Sequence, residues 1–244
     1  MTRHLLLQFI FTFSTFLGIS QANQWAWMNG DDRLPLHPVY GIQGVPSVNN
    51  TPGGRRSAAT WNDALGNLWL FGGDGYSTRG GYGYLNDLWK YNPATNEWTW
   101  VKGDNTIEQF GVYGTQGTAA AGNKPGARYG SVSWSDASGN LWLFGGDSYT
   151  ASSYGDLNDL WKYNPATNQW TWVKGDNTSD QKGIYGTQGT AVAGNKPGAR
   201  YGSVSWSDAS GNLWLFGGMA MQPAATTLST TSGNTTPLPM NGHG

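Results

Sequence analysis

The sequence predicts an all-β protein built from repeated four-stranded antiparallel sheets. Three observations predict this fold class. Short segments alternate apolar and polar residues with a period of two, which is typical of strands. The octapeptide Asn-Asp-Leu-Trp-Lys-Tyr-Asn-Pro at 86–93 returns at 158–165. Gly takes 37 of the 244 positions and Trp 14, a composition typical of many tight turns around a ring-rich core.

The chain consists of one unit copied at intervals of 72 or 73 residues. Aligned without a gap, residues 86–146 and 158–218 differ at only six positions. The hexapeptide Leu-Trp-Leu-Phe-Gly-Gly occurs three times, at 68–73, 141–146 and 213–218. A unit of this kind buries its apolar faces by stacking against its neighbours.

Each unit contains four predicted strands, which the second unit illustrates. Segments rich in β-branched and aromatic residues are separated by the turns Asp-Ala-Ser-Gly-Asn at 136–140 and Asn-Pro-Ala-Thr-Asn at 164–168. Four short strands with tight turns, followed by a longer connection, describe one blade of a β-propeller. The predicted strands are 131–134, 141–144, 159–163 and 170–173.

Three motifs resemble the kelch repeat: the double Gly that ends an apolar strand, the aromatic strand Leu-Trp-Lys-Tyr, and the Trp that follows it. The unit is similar to the long, Trp-rich kelch repeats of exported bacterial proteins. The resemblance implies a kelch-type propeller, apparently an incomplete one. Its predicted parts are a leading strand at 24–28, blade cores at 55–101 and 128–173, and a half blade at 200–218.

The Trp residues recur at equivalent positions of the repeat, which favours packing between blades over a ligand platform. Trp98, Trp100, Trp170 and Trp172 are the expected exceptions. They lie in pairs on predicted outer strands, where they could present an exposed aromatic pair.

Both ends of the chain differ from the repeats. Residues 1–22 have the pattern of a secretory signal peptide, with cleavage after Ala22. We therefore expect a secreted, periplasmic or cell-surface protein without a membrane span. Residues 219–244 are rich in Thr, Ser and Pro and predict a disordered tail.

The repeats supply fewer than three blades, whereas propellers typically have about four to eight. Three explanations are open. The sequence is a piece of a longer propeller, or two chains close one ring, or the open arc is stable alone or with another protein.

Composition excludes several kinds of chemistry. The chain has no Cys and only three His, at positions 4, 37 and 243. The kelch-type copper enzyme galactose oxidase needs a Cys–Tyr crosslink and His ligands, so this oxidase chemistry is excluded. We expect no metal and no cofactor. A formal net charge of −1 also argues against nucleic acid as a partner.

The variable loops between the second and third strands predict the functional face. Asp74, Tyr76, Asp147 and Tyr149 combine acidic and aromatic groups, which suit sugar recognition. The sequence therefore favours an exported binding module for a protein or a surface glycan, without catalysis of its own. Self-association that closes the propeller is a further possible partnership.

Two repeated arginines, Arg128 and Arg200, are further candidates for ligand binding, because a guanidinium captures a carboxylate. The alternative is that each Arg pairs with an Asp or with loop carbonyls inside every blade.

A sugar mutarotase of the kelch type is the main alternative function. Such an enzyme needs an acid and a base near the sugar ring, and Asp74 or Asp147 could supply them. It would require one carboxylate whose pKa differs from that of its repeat equivalent. A structural repeat without a ligand, or a non-functional fragment, is the remaining interpretation.

Overall fold

The computed structural model describes residues 27–30, 32, 35–150 and 154–220, together with the backbone of 228–230. All regular elements in these residues are β-strands. The prediction of an all-β chain made of propeller blades is confirmed. The predicted signal peptide, most of the leading strand and most of the tail lie outside the described residues.

The first blade is an antiparallel sheet whose innermost strand is split in two. The segments β1 and β2 both pair with β3, which pairs with β4, which pairs with β5. Ser57 interrupts the innermost strand with a φ of 53°. The five segments are β1 Arg55–Arg56, β2 Ala59–Asn62, β3 Leu68–Tyr76, β4 Tyr82–Asn92 and β5 Glu97–Lys102.

The second blade repeats this arrangement strand for strand, with the inner strand again split and paired to one long strand. Its segments are β6 Arg128–Tyr129, β7 Val132–Ser135, β8 Leu141–Tyr149, β9 Tyr154–Asn164 and β10 Gln169–Lys174.

The third blade is partial in the described residues. Its inner strand pairs with a second strand that is broken at Gly217 and Gly218, and a short third strand pairs outside that. Two of its segments fall within 219–244, where the sequence predicts disorder. The segments are β11 Arg200–Tyr201, β12 Val204–Ser207, β13 Leu213–Phe216, β14 Met219–Ala220 and β15 Leu228–Thr230.

The inner strands of the three blades are neighbours, so the blades follow one another around a common axis. The backbone N–H of Gly130 donates to the carbonyl of Ser57 at 2.9 Å, and that of Gly202 donates to Gly130 at 2.8 Å. Further along, the Ser133 hydroxyl donates to the Thr60 carbonyl at 2.9 Å. These bonds place equivalent ends of all three blades side by side.

The double glycine explains both the close packing of blades and the length of the hairpins. Gly72 and Gly73 have φ values of 64° and 92° and shift the pairing of β3 with β4. A Cβ on Gly72 would lie 2.9 Å from the Arg128 carbonyl of the next blade. Because the chain continues as a strand beyond this bulge, Asp74 and Tyr76 lie on a strand rather than on the predicted loop.

Half of the Trp side chains pack in the clusters between blades, as the repeat pattern predicts for this group. Trp61 and Trp134 are buried, and each donates its indole N–H to a carbonyl of the following blade at 3.0 Å. The core between the first two blades contains these buried residues: Ala59, Trp61, Trp69, Phe71, Leu88, Leu141, Leu143, Trp161, Tyr163 and Trp170.

The long connection before each of the first two blades covers that blade's outer strand. Gly117 donates its N–H to the Trp172 carbonyl at 2.8 Å, and Ala120 bridges to Trp170. Trp170 is therefore buried, contrary to the expectation of an exposed aromatic pair on β10. The described residues contain no helix with the length and apolar character needed to cross a membrane.

Candidate functional site

The extended hairpin of the second blade brings two carboxylates together. Asp147 on β8 lies directly opposite Asp156 on β9 in the strand register. Residues opposite one another on neighbouring antiparallel strands point to the same side of the sheet. The register shift between Phe144 and Gly146 produces this alignment.

Tyrosine hydroxyls surround the first of these carboxylates. Tyr84 of the first blade and Tyr154 both donate to Oδ2 of Asp147, at 3.1 and 2.5 Å. The other oxygen, Oδ1, is buried and has no hydrogen-bond partner among the described residues. We call Asp147, Asp156, Tyr84 and Tyr154 the acid–tyrosine cluster.

Asp156 has a strongly shifted pKa. Burial, followed by the charges of Asp147 and Asp180, raises the pKa of Asp156 to about 6. Asp180 is held beside it by two hydrogen bonds. Its N–H donates to the Asp156 carbonyl at 2.7 Å, and its Oδ1 accepts from the Asp156 N–H at 3.0 Å. Asp156 therefore exchanges a proton close to neutral pH.

The cluster's hydroxyls keep their protons at neutral pH. The hydrogen bond to Asp147 is the main cause that raises the pKa of Tyr154 to about 12. Burial, assisted by Tyr154 and Asp147, raises the pKa of Tyr84 as well. Both side chains therefore act as hydrogen-bond donors rather than as phenolates.

The corresponding position in the first blade has different chemistry. Asp74 accepts two bonds from Arg56, at 2.8 and 3.0 Å, and one from Tyr82 at 3.1 Å. The second blade has Tyr129 at the position of Arg56, and among the described residues no ion pair to Asp147 replaces the one between Arg56 and Asp74. The first two blades thus differ in chemistry at this end.

The four predicted loop-face residues lie at this end. Asp74 and Asp147 occupy the positions just described. The ring of Tyr76 contacts that of His37 at 5.1 Å, and the ring of Tyr149 contacts that of Tyr154 at 4.9 Å. Asp147 is therefore a member of the acid–tyrosine cluster, and Tyr149 packs against it through Tyr154. Their part in ligand binding stays a prediction.

Arg128, by contrast, lies inside the second blade. Its guanidinium makes two hydrogen bonds to Asp159, at 2.7 and 2.8 Å, and others to the carbonyls of Gly126 and Gly145. Neither side chain of the pair is exposed. This geometry corresponds to the alternative given for the arginines in the sequence analysis, in which each Arg pairs with an Asp inside its blade. Arg200 is buried at the equivalent position of the third blade.

Sequence reasoning missed Tyr84, Asp156 and Arg56. A signal for the first two was present, because residue 84 of the first repeat is equivalent to residue 156 of the second. The strands β4 and β9 have the same sequence except at this position, where Tyr84 is replaced by Asp156, so the difference indicates a change in chemistry between the blades. The described residues contain no group of three or more His, Asp or Glu side chains placed to hold a metal ion.

Comparison with known proteins gives named relatives but no family assignment. No family model matches the chain. A protein of Escherichia coli named N-acetylneuraminate epimerase is 28% identical over 185 residues, covering 66% of this chain and 48% of that protein. The protein of the same name from Escherichia coli strain K12 is 49% identical over 47 residues, covering 19% of this chain and 13% of its own.

A solved structure described as that of YjhT is 18% identical, with a TM-score of 0.45. The match covers 68% of this chain and 46% of that one. The chain spans about half the length of the longer-matching relative. The two Escherichia coli relatives have the name of an enzyme, so the interpretation of the chain as a binding module without catalysis is wrong. The alternative of a sugar mutarotase is the one that the relatives favour.

Proposed function

We propose that the chain forms part of a kelch-type propeller enzyme that interconverts the epimers of an acidic sugar of the N-acetylneuraminate class. The observation that carries the proposal is the pKa of Asp156, about 6, at a position where the first blade has Tyr84. A mutarotase needs an acid and a base near the sugar ring, and Asp156 adds a carboxyl group at a position where the first blade has none. The names of the relatives support the substrate class.

Epimerisation at the anomeric carbon opens and recloses the sugar ring, and the protein needs to supply only proton transfers. A base removes the proton of the anomeric hydroxyl, the bond from the anomeric carbon to the ring oxygen breaks, and that oxygen receives a proton. Closure on the opposite face reverses these steps, so protons and electrons balance. Asp156 suits the role of the group that carries the proton, because both of its protonation states are populated within about one unit of pH 6.

The rest of the cluster positions the sugar. The hydroxyls of Tyr84 and Tyr154 already donate to Asp147, so their oxygens remain to accept hydrogen bonds from sugar hydroxyls. Arg56 supplies positive charge at the same end of the blades, with its side chain 72% exposed. A carboxylated sugar would direct its carboxylate towards this guanidinium. The signal pattern of residues 1–22 supports an activity outside the cytoplasm.

The test measures the rate at which anomers of N-acetylneuraminate interconvert, by one-dimensional proton NMR after dissolving the pure crystalline anomer. We expect the chain to increase this rate above that of buffer. Asp156→Asn should lower the increase by roughly 10²-fold or more, because it removes the proton carrier. Asp156→Tyr, which installs the first-blade residue, should have the same effect.

Glu97→Gln is the matched control. It also removes one carboxylate, and Gln169 already occupies the equivalent position of the second blade. This variant should keep the full rate. A chain that leaves the interconversion rate at the buffer value, or an Asp156→Asn variant as active as Glu97→Gln, would refute the proposal.

A further inference from the structure

Each of the first two blades has a pair of tyrosines on opposite strands at the end of its long hairpin. In the second blade, Tyr149 of β8 lies opposite Tyr154 of β9, and the centroids of their rings are 4.9 Å apart. In the first blade, Tyr76 of β3 lies opposite Tyr82 of β4, with ring centroids 5.0 Å apart. One ring of each pair is exposed, Tyr154 at 52% and Tyr82 at 49%. Both pairs therefore combine ring contact with access from solvent.

The hydroxyl of the exposed tyrosine is hydrogen-bonded to a carboxylate in both blades. Tyr154 donates to Oδ2 of Asp147 at 2.5 Å, and Tyr82 donates to Oδ2 of Asp74 at 3.1 Å. A phenol that loses an electron becomes a strong acid, so a carboxylate already at hydrogen-bond distance accepts its proton directly. The hydrogen bond to Asp147 is the main cause that raises the pKa of Tyr154 to about 12. At neutral pH this proton therefore leaves only together with an electron.

The two carboxylates differ in what the uptake of a proton would cost them. Asp74 also accepts from the Arg56 guanidinium at 2.8 and 3.0 Å, and a proton on Asp74 would remove this ion pair. No ion pair holds Asp147 in the described part of the chain, and its Oδ1 is buried there without a hydrogen-bond partner. The tyrosine pair of the second blade is therefore the more easily oxidised of the two.

We propose that Tyr149 and Tyr154 form an oxidative modification site, at which a haem peroxidase and hydrogen peroxide join the two rings by a carbon–carbon bond. The bond would tie β8 to β9 beyond the double-glycine bulge, at the end of the hairpin that carries Asp147 and Asp156. The proposal is independent of the reaction proposed for the acid–tyrosine cluster, because it needs no sugar and no change in the protonation of Asp156.

The reaction balances with one molecule of hydrogen peroxide. Each phenol gives one electron to the peroxidase and loses its hydroxyl proton, which passes to Asp147 from Tyr154 and to water from Tyr149. The unpaired electron of each radical spreads to the ring carbons next to the one that carries oxygen, and two such carbons form the new bond. Each of them then loses its hydrogen as a proton, while each phenol oxygen regains one. The two electrons and two protons released overall reduce hydrogen peroxide to two molecules of water, so the chain loses two hydrogen atoms.

The experiment treats the full chain with a peroxidase and one molar equivalent of hydrogen peroxide, at a dilution that suppresses links between chains. Trypsin, which cuts after Lys and Arg, leaves Tyr149 and Tyr154 in one fragment, 129–162. We expect dityrosine fluorescence, and mass spectrometry should show that this fragment has lost two hydrogen atoms. Tyr149→Phe should abolish the loss. Tyr129→Phe is the matched control, because it removes a different hydroxyl of the same fragment and should keep the loss.

The first blade provides a comparison within the same molecule. Trypsin cuts between Tyr76 and Tyr82, so a bond between these rings would join fragment 57–79 to fragment 80–90. This product should form about two- to fivefold more slowly than the one in the second blade, which is the effect expected of one exposed ion pair. Arg56→Gln removes that ion pair and should bring the two rates together.

Asp147→Asn tests the proton acceptor and should slow the bond between Tyr149 and Tyr154. Arg56→Gln, which changes an exposed side chain, still tests the role of charge in case Asp147→Asn does not fold. The hydroxyls of Tyr84 and Tyr154 are 3.0 Å apart, so a radical that moved to Tyr84 would instead join fragments 80–90 and 129–162. That product as the main one, an unchanged mass of fragment 129–162, or a first-blade bond that forms as fast as the second-blade bond would overturn the proposal.

Discussion

The titration of Asp156 provides the sharpest test of the candidate site. Three causes raise its pKa to about 6: burial, then the charge of Asp147, then that of Asp180. An ordinary Asp titrates near 3.8. We therefore expect a separate Asp carboxyl resonance that titrates about two units above the ordinary value, with about a tenth of Asp156 still protonated at pH 7.

The assay is carbon-detected NMR of selectively labelled Asp across pH 3 to 8, with Asp156→Asn to assign the resonance. Asp147→Asn removes the nearest like charge and should lower the pKa of Asp156 towards its ordinary value. Asp180→Asn should lower it less, because Asp180 is the smaller of the two charge contributions. A wild-type Asp156 that titrates near pH 4 would show that the cluster does not shift its pKa.

The same shift has a consequence for stability. Because the folded pKa lies above the unfolded one, the folded chain binds the proton more tightly between about pH 4 and pH 6. The free energy of unfolding should therefore fall as the pH rises through this window and then level off. Asp156→Asn should flatten that slope in urea titrations, and a slope unchanged in the variant would contradict the reasoning.

Further predictions concern the blade interior, each measured by urea unfolding. Asp159→Asn should cost about 3–5 kcal/mol, because it leaves Arg128 buried without a counter-charge. Lys124→Gln, which removes a partly exposed ion pair, should cost less than about 1 kcal/mol, and equal losses for the two variants would contradict this ranking. Trp161→Ala should cost about 3–5 kcal/mol, since its ring is fully buried between blades. Gly72→Ala should cost at least about 1–3 kcal/mol from its positive φ alone, and a neutral effect would refute the close approach of the blades there.

The repeat pattern was sufficient to predict the blades. Strand alternation, the turn at 136–140 and the recurrence of Trp61 as Trp134 are local or periodic signals, and each has the structural role that it indicates. The hairpin ends were predicted less well. Asp74 was expected in a loop, because the double Gly looks like the end of a strand, whereas it forms a bulge beyond which pairing continues.

The candidate site could be predicted only in part. Asp147 and Tyr149 were identified from their position after the double Gly, but Tyr84 and Asp156 were not. Tyr84 reaches Asp147 across a blade boundary from 63 residues away in sequence. No local pattern encodes such a contact, because it depends on how one blade packs against the next.

The sequence by itself determined the unit, its four strands and the aromatic side chains between blades, because these depend on spacing along the chain. Only the tertiary structure decided which charges are buried and which face one another. It paired Arg128 with Asp159 and set Asp156 opposite Asp147. Pairing and pKa depend on distance and on the exclusion of water, which arise only when blades pack together.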